Sequence, residues 1–426
     1  MGIGDLATQP HHAPQAALDR RTALALVAAG VAVGPRAAMA REHGIDGPAI
    51  AALRLLLDAN ILPFWRRVCT QSPTEGYELS IAPDGTPLPT PGPRMLVLQA
   101  RTTFFFARLA RSRYGRRSDL AIAQRGWDFL TRRMADPVNG GWWTSVAPTP
   151  PGYAPVNRSK QLVFHAHLLL ALAEYARSAP SSVTIGMADQ AVDTIHARFG
   201  TVPPGDYIDS FSEDWTTPLS TTRGYNARLR LVDALTSYLG LQRAIGSAAR
   251  RHLAEALLAN AVALADGGLL TTPAHYFKTS DVDAALATYN ADLQAIHQLR
   301  RARSALGLAD GAGYAQVIDD SLRFGENRRE GGLNFSGPPG QPADVTIRYG
   351  YAQAECLLAT CDSWVRTGNA AHGVAFHRTL RWILLHQADW HQGDWTPSIP
   401  AIDDGTTKAS PFHPGRAVLL SLELLE

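Results

Sequence analysis

The sequence predicts an all-α protein in which helical hairpins close into a ring. After residue 45, apolar residues recur at the three- and four-residue spacing of helices in long segments, and few segments alternate as strands do. Between these segments the chain repeatedly carries glycine followed by an aromatic or apolar residue, in the stretches NGGWWTS, GGLLTT, EGGLNFS and QGDWTPS. This recurrence is typical of a repeated hairpin whose loops carry short turns or strands. We favour a closed toroid because an open solenoid would show more uniform repeats and polar capping units.

Charge and composition narrow the class of partner. The 426 residues carry 40 basic and 38 acidic side chains, a net charge of +2, with no long run of one sign. The sequence shows no cluster of basic residues of the kind that binds nucleic acid, so we expect a small or neutral partner. The loops are rich in Trp, Tyr, Asp and Gly, which suits a sugar, because aromatic rings stack on its apolar faces and carboxylates bond its hydroxyls. The three cysteines fit neither a disulfide framework nor a metal spacing.

The first forty residues predict an export signal. Arg20 and Arg21 precede an apolar stretch that ends in Ala38-Met39-Ala40, a small-x-small sequence of the kind that signal peptidase cleaves. The stretch is too short and too poor in large apolar residues for a membrane span, so no membrane association is expected. We therefore assign residues 1–40 to a twin-arginine-like signal and residues 41–426 to one domain, periplasmic or secreted. The alternative is an alanine-rich tail on a cytoplasmic protein.

A series of short motifs resembles one known family in order and spacing. The motifs are Phe64-Trp65, Gly76-Tyr77, Asp84-Gly85, Arg94, Gln99 with Arg101, DPVNGGWW, SKQLVFHAHLLLALAEYA, Asp214-Trp215, Asn226, YAQAE, Gly393-Asp394-Trp395, and Lys408 with FHPGR. In this order they resemble the N-acylglucosamine 2-epimerase superfamily, which includes cellobiose 2-epimerases and mannose isomerases. The resemblance runs from about residue 60 to the end. It implies a single (α/α)6 barrel with short β-turns or hairpins in its loops.

The resemblance implies reversible chemistry at C1 and C2 of a free aldose, either a mannose-type sugar or a disaccharide with a reducing end. A base removes the C2 proton while a positive or hydrogen-bonding group stabilises the enediolate. Epimerisation needs groups on both faces of C2, whereas one base suffices for aldose–ketose isomerisation. We expect no metal and no organic cofactor, and a monomer or homodimer.

The resemblance also implies roles for individual residues. His413 matches a proton-transfer histidine, and Arg101 matches an arginine that contacts the sugar oxygens near C1 and C2. The residues expected to bind substrate are His165, Asn226, Gln353, Glu355, Trp395 and Lys408. Structural alternatives stand beside these roles. A histidine on an apolar helix is commonly a core group, an asparagine that opens a helix can cap it, and Glu355 could orient His413 instead of binding sugar.

Two segments depart from the family pattern. Arg228 and Arg230 stand where the family has histidines, and Asp233 stands for a glutamate. We expect both arginines on a solvated or salt-bridged helix face, although they would also suit a uronate or phosphate. In YNADLQAIHQL, the best register places Ala291 at the second catalytic histidine of the family and Gln294 at a glutamate.

Three interpretations of the missing histidine remain open. The protein is an isomerase that works with His413 alone, or His275, His165 or Tyr289 fills the gap, or the protein binds a sugar without turnover. His297 lies two helical turns beyond the missing position, too deep to replace the histidine.

A glycoside hydrolase on the same toroid is a further alternative. That reaction needs two carboxylates on either side of the scissile bond. The candidates are Asp206, Asp214, Glu355 and Asp394, and none of them forms a recognisable acid–base pair in the sequence.

Overall fold

The computed structural model describes residues 46–71, 75–90, 92–201, 206–220, 224–267, 286–402 and 408–426. The expected export signal at 1–40, His275 and most of the GGLLTT stretch lie outside these ranges. The described residues form the helical hairpins that the apolar periodicity predicts.

The described chain contains long helices with short strands between them. The helices are α1 (Gly47–Gln71), α2 (Leu96–Arg111), α3 (Arg117–Arg132), α4 (Leu162–Ser178), α5 (Ser182–Thr194), α6 (Tyr225–Ile245), α7 (Ala248–Gly267), α8 (Tyr289–Ala305), α9 (Tyr314–Gly325), α10 (Gly350–Thr367), α11 (Ala370–Trp382) and α12 (Phe412–Leu425). A π-helical turn lies inside α1 at Leu56–Ile61, and others continue α5 at Ile195–Phe199 and α11 at Ile383–Gln387.

The even-numbered helices form an inner ring and the odd-numbered helices surround it. Each inner helix packs on the next, in the order α2, α4, α6, α8, α10 and α12, and α12 returns to contact α2. Each of the helices α2, α4, α6, α8 and α10 packs on the outer helix that follows it, and α12 packs on α1. The chain is therefore a closed ring of six hairpins, the (α/α)6 barrel, in which the first helix completes the last hairpin.

Helix α1 is apolar because it belongs to the core. Among the described helices it is the one long and apolar enough to cross a membrane by length and composition, and its most apolar 18-residue window has a mean hydropathy of 1.3. However, 56% of its most apolar window is buried. The helix packs on α12 and on α11, as expected for the outer partner of the last inner helix.

Short strands lie in the connections between hairpins. The strands are β1 (Arg94–Met95), β2 (Ser145–Thr149), β3 (Gly152–Asn157), β4 (Lys160–Gln161), β5 (Ser210–Phe211), β6 (Ala287–Thr288), β7 (Ser336–Gly337), β8 (Arg348–Tyr349) and β9 (Ser398–Ile399). The strands β1, β4, β6 and β8 each lead directly into an inner helix and pair antiparallel with a strand in the loop before a later inner helix. These pairs hold the loops of neighbouring hairpins together on one face of the barrel.

The glycine-aromatic loops share one backbone pattern. In four loops, a residue at the end of an outer helix forms a β-bridge with the residue seven positions later. These bridges are Ala135 to Trp142, Gly200 to Tyr207, Glu326 to Leu333 and Ala388 to Trp395. In the first loop, the Nζ atom of buried Lys160 donates to Asp136 Oδ2 at 2.7 Å and to the Gly140 carbonyl at 3.0 Å. The glycines are needed because the turn uses positive φ, +74° at Gly140 and +69° at Gly141.

Gly140 and Gly141 form a matched pair for testing this loop. A Cβ atom at Gly140 would meet nothing within 4 Å, whereas one at Gly141 would lie 2.6 Å from the Trp215 ring. We expect Gly140→Ala to lower the free energy of unfolding by about 1–2 kcal/mol, through backbone strain alone. Gly141→Ala should cost about 1–3 kcal/mol more, because the ring must move. Urea unfolding of the two variants measures the difference, and equal losses would contradict the packing described here.

Candidate active site

The fourth residue of several inner helices binds the backbone of a loop. In α2, the Gln99 side chain accepts from the Tyr77 N–H and donates to the Tyr77 carbonyl, both at 2.8 Å. In α10, Gln353 makes the same pair of bonds to Leu333, at 2.7 and 2.8 Å. In α4, His165 Nε2 accepts from the Trp142 N–H at 3.2 Å, and its Nδ1–H donates at 2.8 Å to the carbonyl of Gln161, the residue before the helix. These side chains hold the loops against the barrel.

The sixth residue of the inner helices faces the axis of the barrel. Two residues beyond the fourth position, a helical side chain has turned to another face. This places one polar side chain from each of five helices at the same depth, namely Arg101, His167, Arg230, Gln294 and Glu355. Arg101, Arg230 and Gln294 line a cavity of about 520 Å³, and His167 and Glu355 lie buried beside it.

The second residue of four inner helices lines the same cavity nearer its mouth. These residues are Asn226, Asn290, Tyr351 and His413. Aromatic rings of Phe335 and Trp395 complete the apolar part of the wall. The combination of aromatic faces with amide, guanidinium and imidazole groups is suited to a sugar-sized polar ligand.

His413 is oriented as a base. Its Nδ1–H donates to Glu355 Oε1 at 2.7 Å, which leaves the Nε2 lone pair unengaged. The side chain is 19% exposed and lines the cavity. Burial lowers the pKa of His413 to about 4, although the Glu355 carboxylate acts in the opposite direction. At neutral pH the imidazole is therefore uncharged and able to accept a proton.

Glu355 is held ionised by an arginine. Arg416 donates to both carboxylate oxygens of Glu355, at 2.6 and 2.8 Å, and both side chains are 1% exposed. Burial alone would raise the pKa of Glu355, but the Arg416 charge and the bond from His413 lower it to about 2. Arg416 also reaches Asp233 of α6 at 3.3 Å, and Arg301 of α8 pairs with the same carboxylate at 2.9 Å.

Arg101 presents a guanidinium group beside His413. It donates to His167 Nε2 at 3.2 Å, and it lies 5.1 Å from the centre of the Phe412 ring. Burial, together with the charges of Arg230 and Arg416, lowers the pKa of Arg101 to about 9. A positive group in this place is able to stabilise an oxyanion that develops on a ligand in the cavity.

The structure brings together most of the predicted site residues. Arg101, Asn226, Trp395, Lys408 and His413 line the one cavity. Lys408 also holds the last loop, since its Nζ atom donates to Asp389 Oδ2 at 3.0 Å and to the Gly393 carbonyl at 2.7 Å. Glu355 was expected to bind substrate but does not line the cavity; it accepts from His413 instead, as the alternative of an orienting role predicted.

Two further expectations for site residues require correction. His165 and Gln353 were expected to bind substrate, but neither lines the cavity, because the fourth position of an inner helix faces a loop. His167, which was not among the predicted site residues, contacts Arg101 from the axis-facing position of the same helix. Residues two apart on a helix face different sides, but the sequence does not define which side faces the axis.

The two arginines that stand where the family has histidines lie in different environments. Arg228 pairs with Asp206 at 2.7 Å, as expected for a salt-bridged face. Arg230 instead lines the cavity, and the expectation of a solvated or salt-bridged face is wrong for it. Its Nε atom donates to Asn226 Oδ1 at 3.1 Å, and its Nη2 atom donates to Gln294 Oε1.

The segment without the second histidine also lines the cavity. Ala291 contributes to the wall. His297 is buried, as its depth along α8 predicted, and neither it nor His165 nor Tyr289 lines the cavity. Of the proposed replacements, His275 lies outside the described residues.

The carboxyl groups do not form a hydrolytic pair in the described cavity. Asp394 is the one Asp or Glu among its described lining residues, and Asp206 is paired with Arg228. Asp214 accepts bonds within its own exposed turn, and Glu355 is occupied by Arg416. This arrangement gives no support to the hydrolase alternative.

A closed ring of six helical hairpins around a central cavity places this chain in the class of (α/α)6-barrel proteins. Within this class, residues 76–417 match the model of the N-acylglucosamine 2-epimerase family. The chain belongs to this family and is thereby an epimerase or isomerase of sugars.

Solved structures of several sugar-processing proteins share the fold of this chain. Cellobiose 2-epimerase from Spirochaeta thermophila DSM 6192 has 21% sequence identity and a TM-score of 0.76, covering 88% of this chain and 96% of its own. A D-mannose isomerase has 18% identity and a TM-score of 0.74, covering 87% and 97%. The GH76 α-mannanase BT2949 from Bacteroides thetaiotaomicron has 10% identity and a TM-score of 0.55, covering 88% and 98%. At these identities the likeness is one of fold.

The loop-binding role of His165 can be separated from a role in substrate binding. A glutamine at this position would reproduce the bonds that Gln99 and Gln353 make, whereas alanine would leave the buried Trp142 N–H without a partner. We expect His165→Ala to lower the free energy of unfolding by about 1–3 kcal/mol, and His165→Gln to recover most of the loss. Unfolding curves and KM for the same variants test this. A normal stability with a raised KM in both would instead assign His165 to the substrate.

Proposed function

We propose that this protein converts a free aldose to the corresponding ketose, with His413 as its base and Arg101 holding the oxygen of the enediolate. His413 Nε2 removes the proton from C2 and returns it to C1, and the hydroxyl proton moves between the two oxygens. The charge that develops on oxygen faces the Arg101 guanidinium. Both groups line the cavity, and Glu355 keeps the histidine in the required tautomer.

The proposal rests on one observation. Among the described residues that line the cavity, His413 is the one histidine. His413 lines the cavity and Ala291 occupies the wall on α8. Epimerisation requires proton transfer on both faces of C2, whereas transfer from C2 to C1 on one face requires one base. The arrangement therefore favours isomerisation over epimerisation.

A sugar is the expected substrate for two reasons. The family acts on sugars, and the aromatic rings of Phe335, Tyr351 and Trp395 give the cavity apolar surfaces against which a sugar can pack. Mannose and disaccharides with a reducing end are the first candidates, because a mannose isomerase and cellobiose 2-epimerases share the fold.

His413→Asn tests the base directly. Asparagine retains a polar group of similar size but accepts no proton, so we expect kcat to fall by at least about 100-fold. Incubation in deuterated water with mannose, glucose, fructose, N-acetylglucosamine and cellobiose, followed by NMR of the C1 and C2 protons, measures exchange and identifies the product.

His391→Asn is the matched control, because His391 is exposed and absent from the cavity wall. It should retain full activity. Undiminished exchange in the His413 variant would remove this residue from the mechanism, and an epimer as the main product would replace isomerisation with epimerisation.

The pH dependence of kcat/KM tests the environment of His413. Since the base must be neutral and its pKa is lowered to about 4, the rate should stay level as pH falls through 6.5 and decline only near pH 4. Because the unfolded histidine titrates at its ordinary pKa, protonation favours unfolding over the same interval, and circular dichroism at each pH must show a folded protein. An acidic limb centred near pH 6.5 in the folded enzyme would contradict the buried geometry.

A further inference from the structure

The cavity contains a guanidinium group that the proposed reaction does not use. Arg230 is 9% exposed, and its bonds go to the neutral side chains of Asn226 and Gln294. No carboxylate in the described part of the chain pairs with it, and its Nη1 atom has no hydrogen-bond partner. A buried guanidinium in this state is missing an acceptor of opposite charge.

Gln294 supplies a second donor at the same place. Its Oε1 atom accepts from Arg230, so its amide nitrogen must donate elsewhere, yet this buried nitrogen has no partner. A glutamate at position 294 would neutralise Arg230 from within the protein. The amide instead orients the guanidinium group and leaves its positive charge available.

The charges around the axis leave an excess of positive groups. The four guanidinium groups of Arg101, Arg230, Arg301 and Arg416 surround two carboxylates, Glu355 and Asp233. Both carboxylates are already paired with Arg416 or Arg301. Asp394, the carboxyl group of the described wall, is buried, and this burial raises its pKa to about 7. It therefore does not supply a full negative charge at neutral pH.

Arg230 lies across the cavity from His413. Helices α6 and α12 stand opposite each other in the ring, since three steps separate them in either direction. One turn deeper, Asp233 of α6 and Arg416 of α12 approach to 3.3 Å across the axis. A sugar whose C2 lies at His413 therefore extends its far end toward Arg230.

From these observations we propose that the substrate is an anionic aldose, whose carboxylate or phosphate group binds Arg230 and Gln294 while its C1 and C2 atoms lie at Arg101 and His413. This inference rests on the proposed isomerase function and identifies the class of its substrate. Guanidinium groups bind both anions through paired N–H donors, so the shared requirement is the negative charge at the end of the sugar remote from C1.

The chain offers a matched control for the charge of Arg230. Arg228 is on the same helix, but it is neutralised by Asp206 and does not line the cavity. Arg230→Gln and Arg228→Gln remove the same charge from neighbouring positions. Gln294→Glu is a second test, because it keeps Arg230 and places a carboxylate beside it.

The first measurement is calorimetric binding of sugars that differ only at C6. Mannose is compared with mannuronate and mannose 6-phosphate, and glucose with glucuronate and glucose 6-phosphate. We expect the wild-type protein to bind at least one acid or phosphate roughly 10- to 100-fold more tightly than its neutral parent. Arg230→Gln and Gln294→Glu should each abolish this preference, and Arg228→Gln should retain it. The uronate and phosphate arms show which anion is preferred.

Binding and turnover separate the two proposals. Preferential binding of an anionic sugar without C2 exchange by NMR would support the anion site and overturn the isomerase. Turnover of neutral sugars with no preference for their acids would overturn the anion site and leave the isomerase standing. If the Arg230 and Arg228 variants lose the preference for anionic sugars equally, the anion site is also overturned. The loss would then reflect the net charge of the protein and not a contact with Arg230. Thermal unfolding of each variant shows whether a lost preference for the anionic sugar reflects misfolding. If Arg230→Gln does not fold, the binding preference of Gln294→Glu decides whether the anion site exists.

Discussion

The carboxylate of Glu355 is the interaction on which the cavity depends. It accepts from Arg416 with both oxygens and from His413 with one, and the Glu355 and Arg416 side chains are each 1% exposed. Without it, Arg416 would be a buried charge with Asp233 as its remaining partner. Because Glu355 belongs to α10, Arg416 to α12 and Asp233 to α6, this network joins three of the six inner helices. It also fixes the last helix, which must return to α2 if the ring is to close.

The same network sets the protonation state of the candidate base. The arginine keeps Glu355 ionised, and the ionised carboxylate takes the Nδ1 proton of His413. The other nitrogen is then directed at the cavity without a proton. Burial acts against a positive imidazole more strongly than Glu355 acts for it, so the base is neutral over the ordinary pH range. The ion pair between Glu355 and Arg416 therefore both stabilises the fold and sets the protonation state of His413.

The sequence predicted the hairpins, the ring and the position of the loops, because these follow from helical periodicity and from recurrent glycine. The family resemblance predicted roles for His413, Arg101, Asn226, Trp395 and Lys408, and these five residues line one cavity. The residues that it misplaced, His165 and Gln353, are polar groups on buried helices, and sequence alone does not define how such a helix is rotated about its own axis.

Arg230 was misjudged for a related reason. Salt bridging is the common state of an arginine on a helix, and Arg228 conforms to it. The ring of helices shows that the fourth position of an inner helix faces a loop, whereas the sixth position, two residues later, faces the axis. The substitution at Ala291 was visible in the sequence, but whether the wall there remained part of the cavity depended on the packing of α8.

Because loop-facing and axis-facing side chains occupy fixed positions along each inner helix, substitutions in these helices have two kinds of effect. Side chains at the fourth position hold the rim, so replacing them disturbs the fold without altering the ligand environment. Side chains at the second and sixth positions contact the interior and carry little of the rim, so those outside the Glu355 network can be exchanged without disturbing the loops. A barrel of this type can acquire a new specificity through a few single substitutions, one helix at a time, while the frame that aligns its reactive groups is inherited unchanged.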